Sequence, residues 1–171
     1  KLTSYRDLAG LNEAYRIGFG FDVHPFADGR KLVLCGRVFE YDKGLMGHSD
    51  ADVALHALMD AMLGAMALGD IGQHFPDSDQ RYSGISSMTL LCQVVAMLEK
   101  HGARLVNVDV TIVAQRPKLA SYIPAMRANV ADALSLPLER VSIKATTTER
   151  LGFEGHEEGI SAQAVCLVSA S

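Results

Sequence analysis

The sequence predicts an α+β fold, a single domain in which one mixed β-sheet carries its helices on one face. Stretches of alternating apolar residues are interleaved with stretches in which apolar residues recur every three or four positions, and no internal repeat or low-complexity tract interrupts them. The 171 residues, 49% of them hydrophobic, suffice for one compact core and are too few for two ordinary domains. The domain is assigned to residues 16–171. Residues 1–15, mostly polar or small, read as an N-terminal extension: a linker from a longer chain, an expression remnant or a capping helix.

Taken in order, residues 16–26 alternate, with Ile17, Phe19, Phe21 and Val23 on one face and Gly18, Gly20, Asp22 and His24 on the other, which predicts a half-buried strand. Residues 31–34 and 38–41, on either side of Gly36, predict the two short strands of a hairpin or edge ribbon. Ser49-Asp50-Ala51-Asp52 resembles a capping box with Ser49 as the cap, and the apolar surface from Val53 to Met66 predicts a helix reaching Leu68. Residues 69–84, rich in Gly, Asp, Pro and Ser, form either an ordered functional loop or a mobile flap. A second helix over residues 86–101, with Met88, Leu91, Val95 and Leu98 on one stripe, ends at Gly102. Residues 104–114 are a strand with Val106, Val108, Val110 and Ile112 on one face and Asn107, Asp109 and Thr111 on the other. Ile123, Met126, Val130 and Leu134 mark a third helix ended by Pro137, and residues 141–148 and 160–170 read as two more strands. Helices on one side of such a sheet leave the other side uncovered, and its apolar side chains predict burial against another subunit.

The formal charge of −4, with no block of like charge, gives no electrostatic footprint for nucleic acid or an anionic membrane. Cys35, Cys92 and Cys166 are an odd number without C-x-x-C spacing, which excludes a disulfide framework and a thiolate zinc cluster and fits a reducing compartment. No apolar stretch has membrane-spanning length, so a soluble, cytoplasmic bacterial protein is expected, or one of the plastid stroma if a transit peptide has been removed.

Two residues apart on a strand, Asp22 and His24 leave the same face and can converge on one ion. Gly18 and Gly20 on that face are expected to leave room for a substrate. His56, on the first helix, offers a third ligand, and a two-histidine, one-carboxylate set with an open position matches catalytic rather than structural zinc. Asp52 and Asp60, each one turn from His56, are candidates to orient its ring from behind; Asp52 has the alternative of completing the capping box, and His56 that of an ordinary helix histidine. His48 and Ser49 precede the helix N-terminus, where amides and the dipole favour a phosphate, a role compatible with capping. Lys144-Ala145-Thr146-Thr147-Thr148-Glu149 gathers a cation, three hydroxyls and a carboxylate, suited to phosphate oxygens and a second hard cation, although threonine is also a good strand former. Gln115-Arg116-Pro117-Lys118 offers a further anion contact, and the absence of G-K-[ST] excludes a P-loop.

The strings G-F-D-V-H (20–24), H-S-D-A-D-V-A-L-H (48–56), G-D-I-G (69–72), F-P-D-S-D (75–79) and K-A-T-T-T-E (144–149), taken together, closely resemble the 2-C-methyl-D-erythritol 2,4-cyclodiphosphate synthase family from about Arg16 to the C-terminus. The resemblance implies a homotrimer assembled through its sheets, with active sites between subunits. It implies a phosphorus–oxygen lyase of the methylerythritol phosphate route to isoprenoids, in which the 2-phosphate of 4-diphosphocytidyl-2-C-methyl-D-erythritol 2-phosphate attacks the β-phosphorus and expels CMP. No protein nucleophile is needed, in keeping with the lack of a nucleophile motif.

By that resemblance Asp22, His24 and His56 would bind Zn2+ or another divalent ion, Glu149 would bind Mg2+ or Mn2+ with the substrate diphosphate, and His48 and Thr147 would steady the transition state. Val23, Ser49, Asp70, Ile71, Gly72 and the loop of Phe75, Pro76, Asp77, Ser78 and Asp79 would hold the methylerythritol phosphate. Ala114, Gln115, Arg116, Pro117, Lys118, Leu119 and Ala120, with Thr146 and Thr148, would form the cytidine pocket, and Phe153 and His156 would lie near the trimer axis. Many members carry Arg where this chain has His156, a departure that weakens the expectation of an anion contact there and of an isoprenoid diphosphate in the central cavity; Ala51 replaces a common glycine without expected effect. A metal-dependent phosphohydrolase and a trimeric module with a structural metal are the competing readings.

Overall fold

The computed structural model describes residues 14–170, so all but the last two residues of the expected extension lie outside the described residues. The first strand, β1 (Ala14–Asp28), already includes Ala14 and Tyr15, which pair with Ala170 and Ser169 of the last strand. After it come β2 (Leu32–Leu34) and β3 (Arg37–Phe39), the predicted hairpin, then β4 (Lys43–Leu45), a short edge strand that the sequence pattern did not reveal. Helix α1 (Val53–Ala65) stops one turn before Leu68, where Ala67 takes a left-handed backbone, φ 55°. Within the loop that follows lie α2 (Ile71–His74) and a 3-10 turn (Gln80–Tyr82). Helix α3 (Ser87–Lys100) is capped by the Ser86 hydroxyl and ends where Gly102 adopts φ 71°. Then come β5 (Ala103–Val113), α4 (Ile123–Leu134), β6 (Val141–Thr146), α5 (Gly152–Gly155) and β7 (Gly159–Ala170). Helix α4 ends at left-handed Ser135, short of Pro137, and β6 gives way to a turn in which Glu149 and Arg150 have φ 53° and 66°.

The main sheet runs β4-β1-β7-β5-β6, antiparallel except for the β5–β6 pair, with a register shift between Leu105 and Asn107. Helix α1 lies on β1 and β7, α3 against β5 and α4 on β6, so the helices share one face as predicted. Between the layers lie Leu55, Leu58, Met59 and Met62 of α1, Leu91 and Leu98 of α3, and Val108, Val110 and Ile112 of β5. Each such side chain removed from water contributes about 2 kcal/mol.

The two faces of β1 differ from expectation at one point. Gly18 and Gly20 do share a face with Asp22 and His24, but no substrate space lies beside them: a Cβ on Gly18 would sit 1.7 Å from the Ala61 carbonyl oxygen, and one on Gly20 1.8 Å from that of Ala57. The glycines let α1 rest directly on the strand backbone. It is the apolar face that is open, with Ile17, Phe19, Phe21 and Val23 exposed by 74, 60, 50 and 41%. Beside them on β7 stands half-exposed Val165, paired with Phe19.

The cap of α1 also moves. Asp52, not Ser49, is the N-cap, and its carboxylate accepts from the N–H of Leu55 at 3.2 Å, Cys35 at 3.0 Å and Gly36 at 2.8 Å. Cys35 and Gly36 form the β2–β3 turn with φ of 49° and 70°, the positive pair that a two-residue hairpin requires. One buried carboxylate thus ties the hairpin to the helix. Burial pushes it up to about 6, although the three backbone donors pull the other way. Among the described residues no helix is long and apolar enough to cross a membrane.

Gly20→Ala should cost about 3 kcal/mol or more in urea unfolding, because the helix backbone cannot yield, whereas Gly29→Ala, with nothing within 4 Å of its Cβ, should cost only about 1 kcal/mol for its positive φ. The folded protein holds the Asp52 proton more tightly than an ordinary carboxyl at 3.8 does, so this contribution to stability is complete below about pH 4 and lost as the pH rises through about 6. Urea midpoints measured across that window should fall more in the wild type than in Asp52→Asn.

Candidate active site

Strand β1 delivers Asp22 and His24, and α1 lays His56 over them. Asp22 Oδ2 is 2.9 Å from His24 Nε2 and 3.1 Å from His56 Nδ1, and the two ring nitrogens are 3.1 Å apart. The outer atoms of both rings decide what these inner atoms carry. His24 Nδ1–H donates to the Met46 carbonyl at 2.8 Å, so the neutral ring presents a lone pair at Nε2. His56 Nε2 faces Ser87 Oγ at 3.0 Å and Ser49 Oγ at 3.2 Å. The Ser87 hydroxyl donates to Asp50 Oδ1, so its oxygen accepts from Nε2–H, and the neutral His56 ring presents its lone pair at Nδ1.

Two lone pairs and a carboxylate oxygen therefore converge at hydrogen-bond distance with no proton between them, an arrangement that calls for a cation. Two imidazole nitrogens and one hard oxygen fit zinc or another divalent first-row ion, with positions left for a ligand. A proton answers the same demand: burial disfavours a charged His56, but Asp22 outweighs it and raises the ring's pKa. Burial likewise pushes Asp22 up, yet the hydrogen bonds and charge of His24 and His56 hold it well below the usual carboxylate range. A metal entering here displaces a proton, so its binding tightens as pH rises.

The cluster forms one wall of a cavity of about 420 Å³, lined also by Gly47, His48, Ser49, Ile71, Gly72, Phe75, Pro76, Asp77, Tyr82 and Leu90. The predicted loop is ordered. Asp70 caps α2 through the Gln73 N–H at 2.9 Å, Phe75 packs edge-on against Tyr82, Gly84 N–H donates to the His48 carbonyl at 2.8 Å, and Asp50 N–H to that of Ile85 at 3.1 Å. His48 Nε2–H donates to the Asp79 carbonyl at 3.2 Å. Asp70, Ser78 and Asp79 do not line the cavity, and the Asp79 carboxylate is held by Arg81 at 2.6 Å.

Asp52 and Asp60 do not support His56 from behind. Asp52 is committed to its three backbone donors, and Asp60 accepts the Ile71 N–H at 2.8 Å, tying α2 to α1. Their spacing on the helix suggested contact, but each side chain is drawn to an unpaired amide instead. Ser87 and Asp50 stand behind the ring, and neither was singled out: Ser87 is hidden at the first position of α3 beside the cap Ser86, and Asp50 lies inside a string read as a helix start and a family motif without a role of its own.

A second hollow of about 230 Å³ gathers Ala114, Pro117, Lys118, Leu119, Ala120, Ile123, Ala145, Thr146 and Thr147. Gln115 and Arg116 turn aside, Gln115 Oε1 accepting the Arg150 N–H at 3.2 Å and Arg116 pairing with Glu157 at 3.4 Å. Thr147 Oγ1 donates to Glu149 Oε1 at 3.0 Å, and Thr148 Oγ1 to the Leu151 carbonyl. Val23 and Phe153 meet in a third, shallow hollow that also touches His24, while His156 lines none of these three. Through the sheet, Asp22 registers with Ala162, Ile112 and Ala145, which places the metal cluster and the threonine turn three strand spacings apart, about 14 Å. One chain does not bring the two together.

Residues 15–169 match the model of the YgbB family. The chain belongs to the YgbB family. It is 64% identical over 154 residues, 90% of this chain and 98% of the relative, to the 2-C-methyl-D-erythritol 2,4-cyclodiphosphate synthase of Desulfitobacterium hafniense, and 56% identical over 153 residues to that of Syntrophobacter fumaroxidans, covering 90% and 96% of the two chains. Among solved structures, a 2C-methyl-D-erythritol-2,4-cyclodiphosphate synthase in a CDP-bound form superposes with a TM-score of 0.83 at 37% identity, covering 90% of this chain and 99% of that one. The bifunctional IspDF of Campylobacter jejuni superposes at 0.89 with 41% identity; 94% of this chain is covered, and it spans 43% of that longer one. The α+β domain, its mixed sheet and its helix layer are thus those of the family.

His56→Ala should weaken Zn2+ binding by about 100-fold or more, read by competition with a chromophoric chelator, while Cys92→Ser, an exposed thiol far along α3, should leave it unchanged. Wild-type affinity in the same assay should rise with pH as the His56 proton is lost.

Proposed function

We propose that the protein is a 2-C-methyl-D-erythritol 2,4-cyclodiphosphate synthase. The observation that carries this reading is the Asp22–His24–His56 triangle opening onto a cavity of about 420 Å³ in a chain 64% identical over 154 residues to a relative of that name. The substrate is 4-diphosphocytidyl-2-C-methyl-D-erythritol 2-phosphate: an oxygen of its 2-phosphate forms a bond to the β-phosphorus as the bond to the α-phosphate oxygen breaks, giving the cyclic diphosphate and CMP. CDP in two similar structures supports a cytidine nucleotide ligand.

Asp22, His24 and His56 would hold Zn2+ or a similar ion, and Glu149 a Mg2+ or Mn2+; the cations supply Lewis-acid neutralisation of the diphosphate. The protein folds and aligns the two phosphates rather than attacking them. Ser49, whose oxygen accepts from Ala51 N–H and His56, keeps its own proton for a phosphate oxygen in the cavity. His48, its Nε2 fixed on Asp79, lines the same cavity, and Ile71, Gly72 and the 75–77 segment close around the methylerythritol phosphate. The hollow at 114–120 with Thr146 takes the cytidine, and Thr147 steadies the diphosphate beside it.

In this reading the active protein is a homotrimer. Two observations support it: the uncovered apolar face of β1 and β7, and the 14 Å separation, about three strand spacings, between the metal cluster and the threonine turn. A threefold rotation sets the cytidine hollow of one subunit against the metal cluster of the next. Residues 16–171 are the synthase unit, working in the bacterial cytoplasm.

Supplied with the substrate in 18O-water, the protein should release CMP and the cyclic diphosphate with no inorganic phosphate and no label in either product. Solvent oxygen in a product would establish the phosphohydrolase instead, and turnover unaffected by chelation would leave only a structural metal. Asp22→Ala and Glu149→Gln should each abolish turnover, and trimers reassembled from an equal mixture should recover about a quarter of wild-type turnover, because about one interface in four then carries both native residues. No recovery would show that a single chain builds the whole site.

A further inference from the structure

The groups behind His56 form a chain of directed hydrogen bonds. Ser87 is fully buried at the first position of α3, and its hydroxyl lies between two partners: His56 Nε2 at 3.0 Å and Asp50 Oδ1. Asp50 is itself held. Its Oδ2 accepts the Ser87 N–H at 3.0 Å, its Oδ1 accepts the Asp52 N–H at 3.1 Å, and its own N–H donates to the Ile85 carbonyl. A carboxylate that accepts from both the amide and the hydroxyl of one residue leaves that hydroxyl a single orientation, with the proton toward Asp50 and a lone pair toward His56. Ser49 faces the same nitrogen at 3.2 Å but takes only the Ala51 N–H in return, so its proton is not committed and it alone does not fix the ring.

We propose that Asp50 and Ser87 are positioning residues that lock neutral His56 in the Nε2–H tautomer, and so aim a lone pair at the metal before it arrives. This rests on the reading of Asp22, His24 and His56 as a metal site. Neither residue touches metal or substrate; the pair acts through the ring. Without it the ring is free to protonate Nδ1 and direct N–H at Asp22 Oδ2, 3.1 Å away, a hydrogen bond that a metal must break. The device spans two elements, because α3 is seated on the segment before α1 by the Ser87–Asp50 bonds, so the packing of one helix sets the proton on a ligand carried by another.

The test uses the full chain, metal-stripped, at alkaline pH where His56 is neutral. Long-range 1H–15N spectra of the imidazoles should show His56 as the Nε2–H tautomer in wild type, and a mixture or the Nδ1–H form in Ser87→Ala and in Asp50→Asn. Zn2+ affinity, by chelator competition, should fall 10- to 100-fold, or about that range, in both variants. Ser87→Thr, which keeps the hydroxyl, should retain the wild-type tautomer and most of the affinity. Thermal melting selects which of the two disrupted variants is folded, and either suffices. A folded variant that keeps the Nε2–H tautomer and wild-type affinity overturns the proposal. Loss of affinity with an unchanged tautomer also overturns it, since the effect would then be packing alone. If wild type fails to bind Zn2+ more tightly than His56→Ala, the metal reading itself has failed, a result distinct from either.

Discussion

The contact on which the site depends is the backbone-to-backbone approach of α1 and β1. With side chains between them, a helix and a neighbouring element stand about 8–10 Å apart. Here Gly18 and Gly20 remove the Cβ atoms that would meet the carbonyls of Ala61 and Ala57, and the helix settles onto the strand. His56 precedes Ala57, and Asp22 and His24 follow Gly20 on the same strand face. The close approach therefore brings three candidate metal ligands to within about 3 Å of one another, which neither element alone can do. A strand of bulkier inward residues would carry the same ligands and hold them apart.

Two aspartates near this contact, Asp22 half-buried and Asp52 fully buried, show how environment divides the labour among like groups. Asp22 loses hydration but gains two histidine partners and stays ionised, which leaves it able to bind a cation. Asp52 loses more and gains only backbone donors, so its carboxyl is pushed up to about 6 and serves the fold, tying the hairpin turn to the first turn of α1. Asp60, half-buried with the Ile71 N–H, is pushed up by burial and belongs to the same structural class. The carboxylate left able to bind a cation is the one whose neighbours can accept or lose a proton.

Much of this was legible from periodicity. The 16–26 alternation, the α3 stripe ended by Gly102 and the 104–114 strand all appear within a residue or two of expectation, because burial on one face imposes those periods. The D-x-H pair and the helix histidine were legible for the same reason, since two-residue spacing on a strand fixes a common face. The rest depends on tertiary partners that local pattern does not encode. The glycines look like space until the helix is placed against them. Asp52 and Asp60 stack under His56 on a helical wheel, but hairpin and loop amides attract them more strongly. Ser87 is 31 residues from the histidine that it orients, and nothing near it in sequence marks that role. Strand β4 is only three residues long, too short to show a period.

Because α1 carries His56 in its first turn and, four residues later, the Asp60 that anchors the start of α2, one rigid rod sets both the histidine corner of the triangle and the lip of the cavity. The helical rise fixes their separation along the axis at about 6 Å. The helix thus fixes one interval of the cavity wall, and any ligand that reaches from the Asp22–His24–His56 triangle to the α2 lip must span it.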